Sequence, residues 1–167
     1  MTTIAANQKV MAADTRTVTG ETWFRTSKIV RVGRSVVGVA GDSSAIEKFF
    51  RWYIGGRKKR ERPEFRDSES FAALILDSRG MWHCDESLAF DRVNDDYFAI
   101  GTGAIAALVA MDLGLDPVAA VEEIAICNDG SRFELASEVQ ERPLHRGQRA
   151  RPDVRVGPDD NDAVVDA

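Results

Sequence analysis

The hydrophobic pattern starts almost at the first residue. Ile4 and Ala6 mark alternate positions of a short strand, Asn7-Gln8-Lys9 supplies a turn, and Val10 to Ala13 resumes an apolar strand that ends at Asp14. Chain ends usually fray unless something ties them down. A core strand beginning beside Thr2 therefore needs a reason. Thr15 to Ser27 is polar, contains Gly20, and reads as a loop or short irregular strands. Lys28 to Val32 and Ser35 to Ala40 then form a second hairpin across Gly33-Arg34.

The period changes after Gly41-Asp42-Ser43-Ser44. Ala45, Ile46, Phe49, Phe50 and Tyr53 are apolar at helical spacing behind polar N-cap candidates, and Gly55-Gly56 ends the run. Arg57 to Asp67 is a charge-dense connector. A solvated loop is its plainer reading, and a docking patch for an acidic partner is the sharper one. Phe71 to Asp77 is an apolar strand closed by Ser78-Arg79-Gly80, and a return strand from Met81 runs irregularly to Val93. After the turn at Asn94-Asp95-Asp96, Tyr97 to Gly101 is a short buried strand. A helix follows from about Gly103 to Leu113. Gly114-Leu-Asp-Pro stops it and starts the next, Pro117 to about Ile126, with Asp116 as N-cap and Pro117 in the first turn. Arg132 to Val139 reads as one more strand. From Gln140 onward large apolar residues are scarce, so the expected division is one domain over residues 1–139 and a disordered tail over 140–167. Hairpins separated by helices predict an α+β fold of stacked antiparallel sheets flanked by helices.

Composition narrows the class. A hydrophobic share of 44% and a charged share of 29% are ordinary for a soluble domain. The net charge of −5 argues against a general nucleic-acid binder. No stretch approaches the ~20 apolar residues of a membrane span, and no secretory segment opens the chain. Cys84 and Cys127 are too few for a disulfide scaffold and lack metal-site spacing. A cytoplasmic location is expected. His83-Cys84 with Asp85-Glu86 offers a weak metal cluster, but neighbours on a strand point to opposite faces. No glycine-rich phosphate loop is present. No cofactor and no metal are expected.

The chemistry worth weighing gathers at the start. Removal of Met1 would leave Thr2 with a hydroxyl and a free α-amine on adjacent carbons, nucleophile and general base in one residue. Asp14 and Lys28 stand at strand edges where side chains can converge. Gly38 lacks a side chain inside a strand, which can mark close backbone approach and a free oxyanion donor. Each has a plainer reading: Asp14 as a turn residue, Lys28 as an edge charge, Gly38 as a bend.

Thr2-Thr3-Ile4, Ala12-Ala13-Asp14-Thr15-Arg16, Lys28-Ile-Val-Arg, Val37-Gly38-Val39-Ala40-Gly41-Asp42 and Ala99-Ile100-Gly101-Thr102-Gly103 occur together in order. Over roughly Thr2 to Leu135 the chain resembles the proteasome β-subunit and HslV family of N-terminal threonine hydrolases, as a compact, divergent member. The resemblance implies an αββα sandwich and peptide hydrolysis inside an oligomeric chamber. It casts Thr2 as nucleophile, Lys28 as the lysine that lowers its pKa, Asp14 as that lysine's carboxylate, Gly38 as the oxyanion-hole glycine and Thr102 in place of a serine that positions the amine. Asp129 or Ser131 is an accessory candidate. It further implies a peptide or unfolded-protein substrate, a homo-oligomer, a candidate ATPase unfoldase as partner, and neither nucleic acid nor membrane. Two departures stand out. The region Cys127 to Ser131 is shortened, and only about 29 residues separate Asp42 from Phe71, where the family fits two long helices. The second helix is therefore expected to be missing or vestigial. Two rival readings follow: a catalytically silent structural or assembly subunit, and a small-molecule amidase. Val36 is a candidate wall of a specificity pocket.

Overall fold

A computed structural model describes residues 2–129 and 133–136. The expected first hairpin forms as β1 (Ile4–Asn7) and β2 (Met11–Asp14), with Ala5 opposite Ala12. Asn7 closes it: its side-chain oxygen accepts the amides of Lys9 and Val10, both at 2.9 Å. An Asn side chain that bonds the backbone ahead of it makes a tight turn at little cost.

The polar stretch after Asp14 is more regular than its composition suggests. It forms β3 (Arg16–Thr19) and β4 (Thr22–Arg25), a two-stranded ribbon turning at Gly20, whose φ is 58°. The sequence leaves a loop and short irregular strands both open here, because neither strand buries an alternating face. Val18, Trp23 and Phe24 stay about half exposed. Next come β5 (Ile29–Val32) and β6 (Ser35–Gly41), then α1 (Ser43–Ile54), ended by Gly55 as expected. Asp42 occupies the N-cap position with extended backbone, yet its carboxylate accepts the Ser70 amide at 2.8 Å instead of capping helix amides.

Only a single 3₁₀ turn, Lys59–Glu61, lies between α1 and β7 (Phe71–Asp77). The second long helix is absent there, as the short spacing implied. The return from β7 is two strands, β8 (Gly80–Asp85) and β9 (Phe90–Val93), in place of one irregular strand. A turn through Leu88, with φ of 55°, separates them and lets β9 fold back onto β8. Then come β10 (Tyr97–Ile100), α2 (Ala104–Asp112), α3 (Pro117–Asp129) and β11 (Phe133–Ala136). The expected tail over 140–167 lies outside the described residues.

The strands form a four-stranded sheet in the order β10-β1-β2-β11 and a five-stranded sheet in the order β5-β6-β7-β8-β9, all antiparallel, with the ribbon apart. Successive side chains of a strand point to opposite faces, and this alternation builds three apolar layers. Ile4, Ala6, Met11, Ala13, Leu74 and Leu76 meet between the sheets. Val37, Val39, Ala73 and Ile75 turn the other way onto Phe49 and Trp52 of α1. Ala5, Ala12 and Ala99 pack outward on α2 and α3 through Ala107, Met111, Ala120 and Val121. The small residues on that face let the helices lie close. The architecture is the expected αββα sandwich. Val36, the candidate pocket wall, is buried in the inter-sheet layer, because a side chain four positions from Ala40 on the same strand shares its face. No helix among the described residues is long and apolar enough to cross a membrane.

Candidate active site

Four of the sequence-predicted residues converge at one end of the sandwich. Thr2 precedes β1, and antiparallel pairing of β1 with β2 sets the end of β2 beside it. There the Asp14 amide donates to the Thr3 carbonyl at 3.1 Å. Asp14 then turns its carboxylate inward. Oδ1 accepts the Thr3 amide at 2.5 Å, and Oδ2 accepts the Arg16 amide at 3.1 Å. Two backbone donors and one cation hold a carboxylate that is only 6% exposed.

The cation is Lys28, just ahead of β5 and also 6% exposed. Its carbonyl accepts the Val39 amide at 3.1 Å, which pins the backbone to β6. Its Nζ donates to Asp14 Oδ2 at 2.7 Å, to the Arg16 carbonyl at 2.5 Å and to Thr2 Oγ1 at 3.1 Å. An ammonium has three hydrogens and no lone pair. These three acceptors suit the charged form, in which Lys28 donates to the Thr2 hydroxyl and cannot be its base. Burial pushes the Lys28 pKa below 10.5, and the hydrogen bond and charge of Asp14 oppose that shift without cancelling it.

Thr102 closes the other side. The Thr2 backbone N–H donates to Thr102 Oγ1 at 3.0 Å, and the Thr102 hydroxyl leans on the Thr2 carbonyl at 3.4 Å. The flanking glycines, to which sequence reading gave no role, permit this approach. A side chain at Gly101 would stand 2.3 Å from the Thr2 carbonyl oxygen, at a φ of 90°, and one at Gly103 would stand 2.0 Å from Thr3 Oγ1. The Gly103 amide in turn donates to the Thr2 carbonyl at 3.1 Å. Gly-Thr-Gly in the sequence is a visible signal of close approach, but its partner is a residue a hundred positions away.

The fifth predicted residue does not join them. Gly38 sits mid-strand in β6, between Ile29 and Leu74, and a Cβ there would meet Ile4 Cγ2 and Met11 Sδ at 2.8 Å. It is a packing glycine of the inter-sheet core. Its amide faces the wrong way as well. Successive amides of a strand alternate sides. Val39 donates to Lys28 on the β5 side, and Asp42 donates to the Ser70 carbonyl on the β7 side at 2.8 Å, so Gly38 belongs to the β7 ladder. The same alternation turns the Gly41 amide to the β5 side, beyond the end of β5, where Gly41 lines the cleft at Thr2. Gly41 has a φ of 131°, and a side chain there would lie 2.3 Å from the Ser70 carbonyl.

Gly38→Ala is accordingly expected to lower stability by about 1–3 kcal/mol through overpacking while leaving the site's geometry in place. A denaturant melt alongside a rate measurement checks this. An unchanged midpoint with lost activity would return Gly38 to the site.

The cleft holds about 910 Å³ and runs from Thr2, Lys28 and Thr102 between the ribbon (Val18, Phe24) and the first turns of α1 (Ile46, Phe50). Of the accessory candidates, Asp129 is the last residue of α3, and Ser131 lies outside the described residues. Cys84 is fully buried, and its thiol is pushed up to about 12 chiefly by that burial; His83 meets Phe98 edge-on. Among the described residues no three His, Cys, Asp or Glu side chains gather as metal ligands.

No family model matches the chain. No curated protein matches it. Solved structures do. The chain is similar to Thiobacillus denitrificans BPH in complex with epoxomicin, at 20% identity and a TM-score of 0.54, over 84% of this chain and 99% of that one. It is similar to the eukaryotic HslV of Trypanosoma brucei at 17% identity and a TM-score of 0.56, over 80% and 97% of the two chains. An Anbu mutant from Hyphomicrobium shares 16% identity at a TM-score of 0.56, over 83% and 82%. Likeness at these identities speaks to architecture, and with the layers described above it places the chain in the HslV-type N-terminal nucleophile hydrolase fold.

Proposed function

We propose that this protein is a threonine-type peptidase whose nucleophile is Thr2 Oγ1 after removal of Met1. The observation that carries the reading is the Lys28 ammonium 3.1 Å from Thr2 Oγ1, held on the buried Asp14 carboxylate. Burying a charge is costly unless it is paired and hydrogen-bonded, and Lys28 meets that cost with Asp14 and the Arg16 carbonyl while aiming a further hydrogen at Thr2 Oγ1. Met1 must leave because an amide nitrogen has no basic lone pair, whereas a free α-amine has a pKa of about 8.

The amine takes the Thr2 hydroxyl proton, directly or through water, and Oγ1 attacks the carbonyl carbon of the scissile bond. Lys28 stabilises the developing alkoxide, and burial strengthens its field relative to water. Gly41, in place of Gly38, presents the amide for the oxyanion. Collapse of the tetrahedral intermediate breaks the C–N bond. The protonated amine passes its proton to the leaving nitrogen and leaves an ester on Thr2. Water, deprotonated by the same amine, hydrolyses that ester and restores the hydroxyl. Thr102 keeps the amine oriented through the 3.0 Å contact.

The cleft's Val18, Phe24, Ile46 and Phe50 suit apolar side chains of an extended or unfolded peptide. Ile105, Val109 and Leu113 form an exposed apolar stripe at helical spacing, which supports association between copies and a chambered homo-oligomer. An ATPase partner would act on such an assembly.

Intact mass before and after an epoxyketone such as epoxomicin tests the reading, because the reagent offers electrophilic carbons to a hydroxyl and to the adjacent amine. The expected result is a chain lacking Met1 that gains one inhibitor mass at Thr2, in a native particle larger than one copy. Retained Met1, or a free Thr2 that does not react, would leave the fold without this activity and favour a silent structural subunit.

A further inference from the structure

The connector after α1 is the charged motif that the catalytic reading does not use. From Arg57 to Arg62 it carries five cations and one carboxylate, in a chain of net charge −5. It is also pinned rather than merely solvated. The Arg57 amide, at a φ of 57°, donates to the Trp52 carbonyl at 3.0 Å, and Trp52 Nε1 donates to the Lys58 carbonyl at 3.1 Å. The Arg57 guanidinium lies over Phe90 at 5.0 Å and Tyr53 at 5.6 Å, and Arg62 donates to the Ser87 carbonyl. Phe65, just beyond, packs on Phe71 at 5.1 Å.

On this fixed backbone every residue from 57 to 62 is exposed. Glu61 is the local counter-charge, 3.3 Å from Lys58 and 3.5 Å from Arg60. Lys59 meets no carboxylate among the described residues. The turn therefore displays an excess of four positive charges in a preset geometry, which lowers the ordering cost of binding an anionic chain.

A nucleic acid is the poorer match. Arg57 covers the rings of Tyr53 and Phe90 that could have stacked on bases, and the overall negative charge opposes a polyphosphate. An acidic peptide fits better, and this sequence contains one. Residues 158–166 hold Asp159, Asp160, Asp162 and Asp166, and no cation follows Arg155. Their four negative charges match the connector's excess. The 21 residues between Ala136 and Pro158 can span roughly 70 Å when extended, whereas a domain of this size has a radius of gyration of only about 14 Å. Exposed ion pairs are weak one at a time, but a ligand on the same chain acts at high effective concentration. The geometry points to residues 158–166 docking on the 57–62 turn of the same chain.

Zero-length carbodiimide cross-linking of the full-length protein, followed by peptide mapping, tests this. The Lys48–Glu69 pair, at 2.6 Å, is the internal reference. At low salt, Lys58 or Lys59 should link to Asp159, Asp160 or Asp162. Relative to the reference, the yield should fall about tenfold or more in 1 M NaCl, where the screening length is about 3 Å. In a mixture of isotopically light and heavy protein the links should stay within one label. Lys58→Glu with Lys59→Glu should abolish them, and adding Asp159→Lys with Asp160→Lys should restore links of reversed sense. A reference link without the connector link at low salt would overturn the proposal, as would links insensitive to salt. Links only between light and heavy chains would assign the site to a second copy. Protection of Lys58 and Lys59 from acylation by an added DNA oligonucleotide, with no link to 158–166, would assign it to nucleic acid. Either result overturns docking within one chain.

Discussion

Thr2→Ala is expected to abolish peptide turnover, lowering kcat by about 10⁴-fold or more, the scale on which removal of a nucleophile is felt when the surrounding groups act as a unit. The fold should survive. The Thr2 carbonyl that anchors the Gly103 amide is backbone and persists, and the lost hydroxyl removes one acceptor of Lys28 while Asp14 and the Arg16 carbonyl remain. The stability loss should be no more than about 1.5–3 kcal/mol, the net worth of one hydrogen bond to a charged group. Thr2→Ser keeps the hydroxyl and should retain measurable turnover. Paired rate and melting measurements on the two variants check this. Turnover surviving in Thr2→Ala would place the nucleophile elsewhere.

Lys28→Ala should cost activity and stability together. Loss of a donor aimed at developing negative charge typically lowers kcat by about 10²–10³-fold. The same change strands Asp14, buried and ionised without its cation, which costs about 3–5 kcal/mol. Lys28→Met, which refills the volume, isolates the charge.

The pH dependence follows from the direction of the Lys28 shift. Turnover should rise as the Thr2 amine loses its proton near pH ~8, then fall as Lys28 loses its own at a pH below 10.5. Stability moves the other way. Below the folded-state pKa of Lys28 both folded and unfolded chains hold the proton, and the burial penalty is fully felt. Between that value and 10.5 the folded chain has released its proton while the unfolded chain still holds it, so the Lys28 contribution to stability increases with pH. Denaturant midpoints of wild type and Lys28→Met across this range read the difference. A difference that shrinks or reverses would contradict the shift, and an alkaline limb unchanged in Lys28→Met would remove the lysine from catalysis.

These effects concentrate in residues that the chain keeps far apart. The first hairpin was legible because turn chemistry at Asn7 and apolar alternation on both sides agree, and α1 because its spacing changes to the helical period where Gly41-Asp42 breaks the strand. The missing second helix was legible as simple length. The β3–β4 ribbon was legible only as a loop or short irregular strands, since it buries no face and so leaves no alternation to read. The β9 strand was hidden because a positive φ at Leu88, a residue type that rarely adopts one, makes the turn before it.

Within the candidate site, the sequence by itself determined which groups were available: a threonine next to the first methionine, a carboxylate and a lysine at strand ends, and a threonine between two glycines. Residue order and type settle strand faces and turns because those are local, repeating properties of the backbone. Only the tertiary structure decided that Thr2, Asp14, Lys28 and Thr102 meet, since their meeting depends on the pairing of β1 with β2 and β10 and of β5 with β6. It also decided between two glycines of one strand. Gly38 and Gly41 look equivalent along the chain, but amides alternate sides, so register sends the first into the β7 ladder and the second into the cleft.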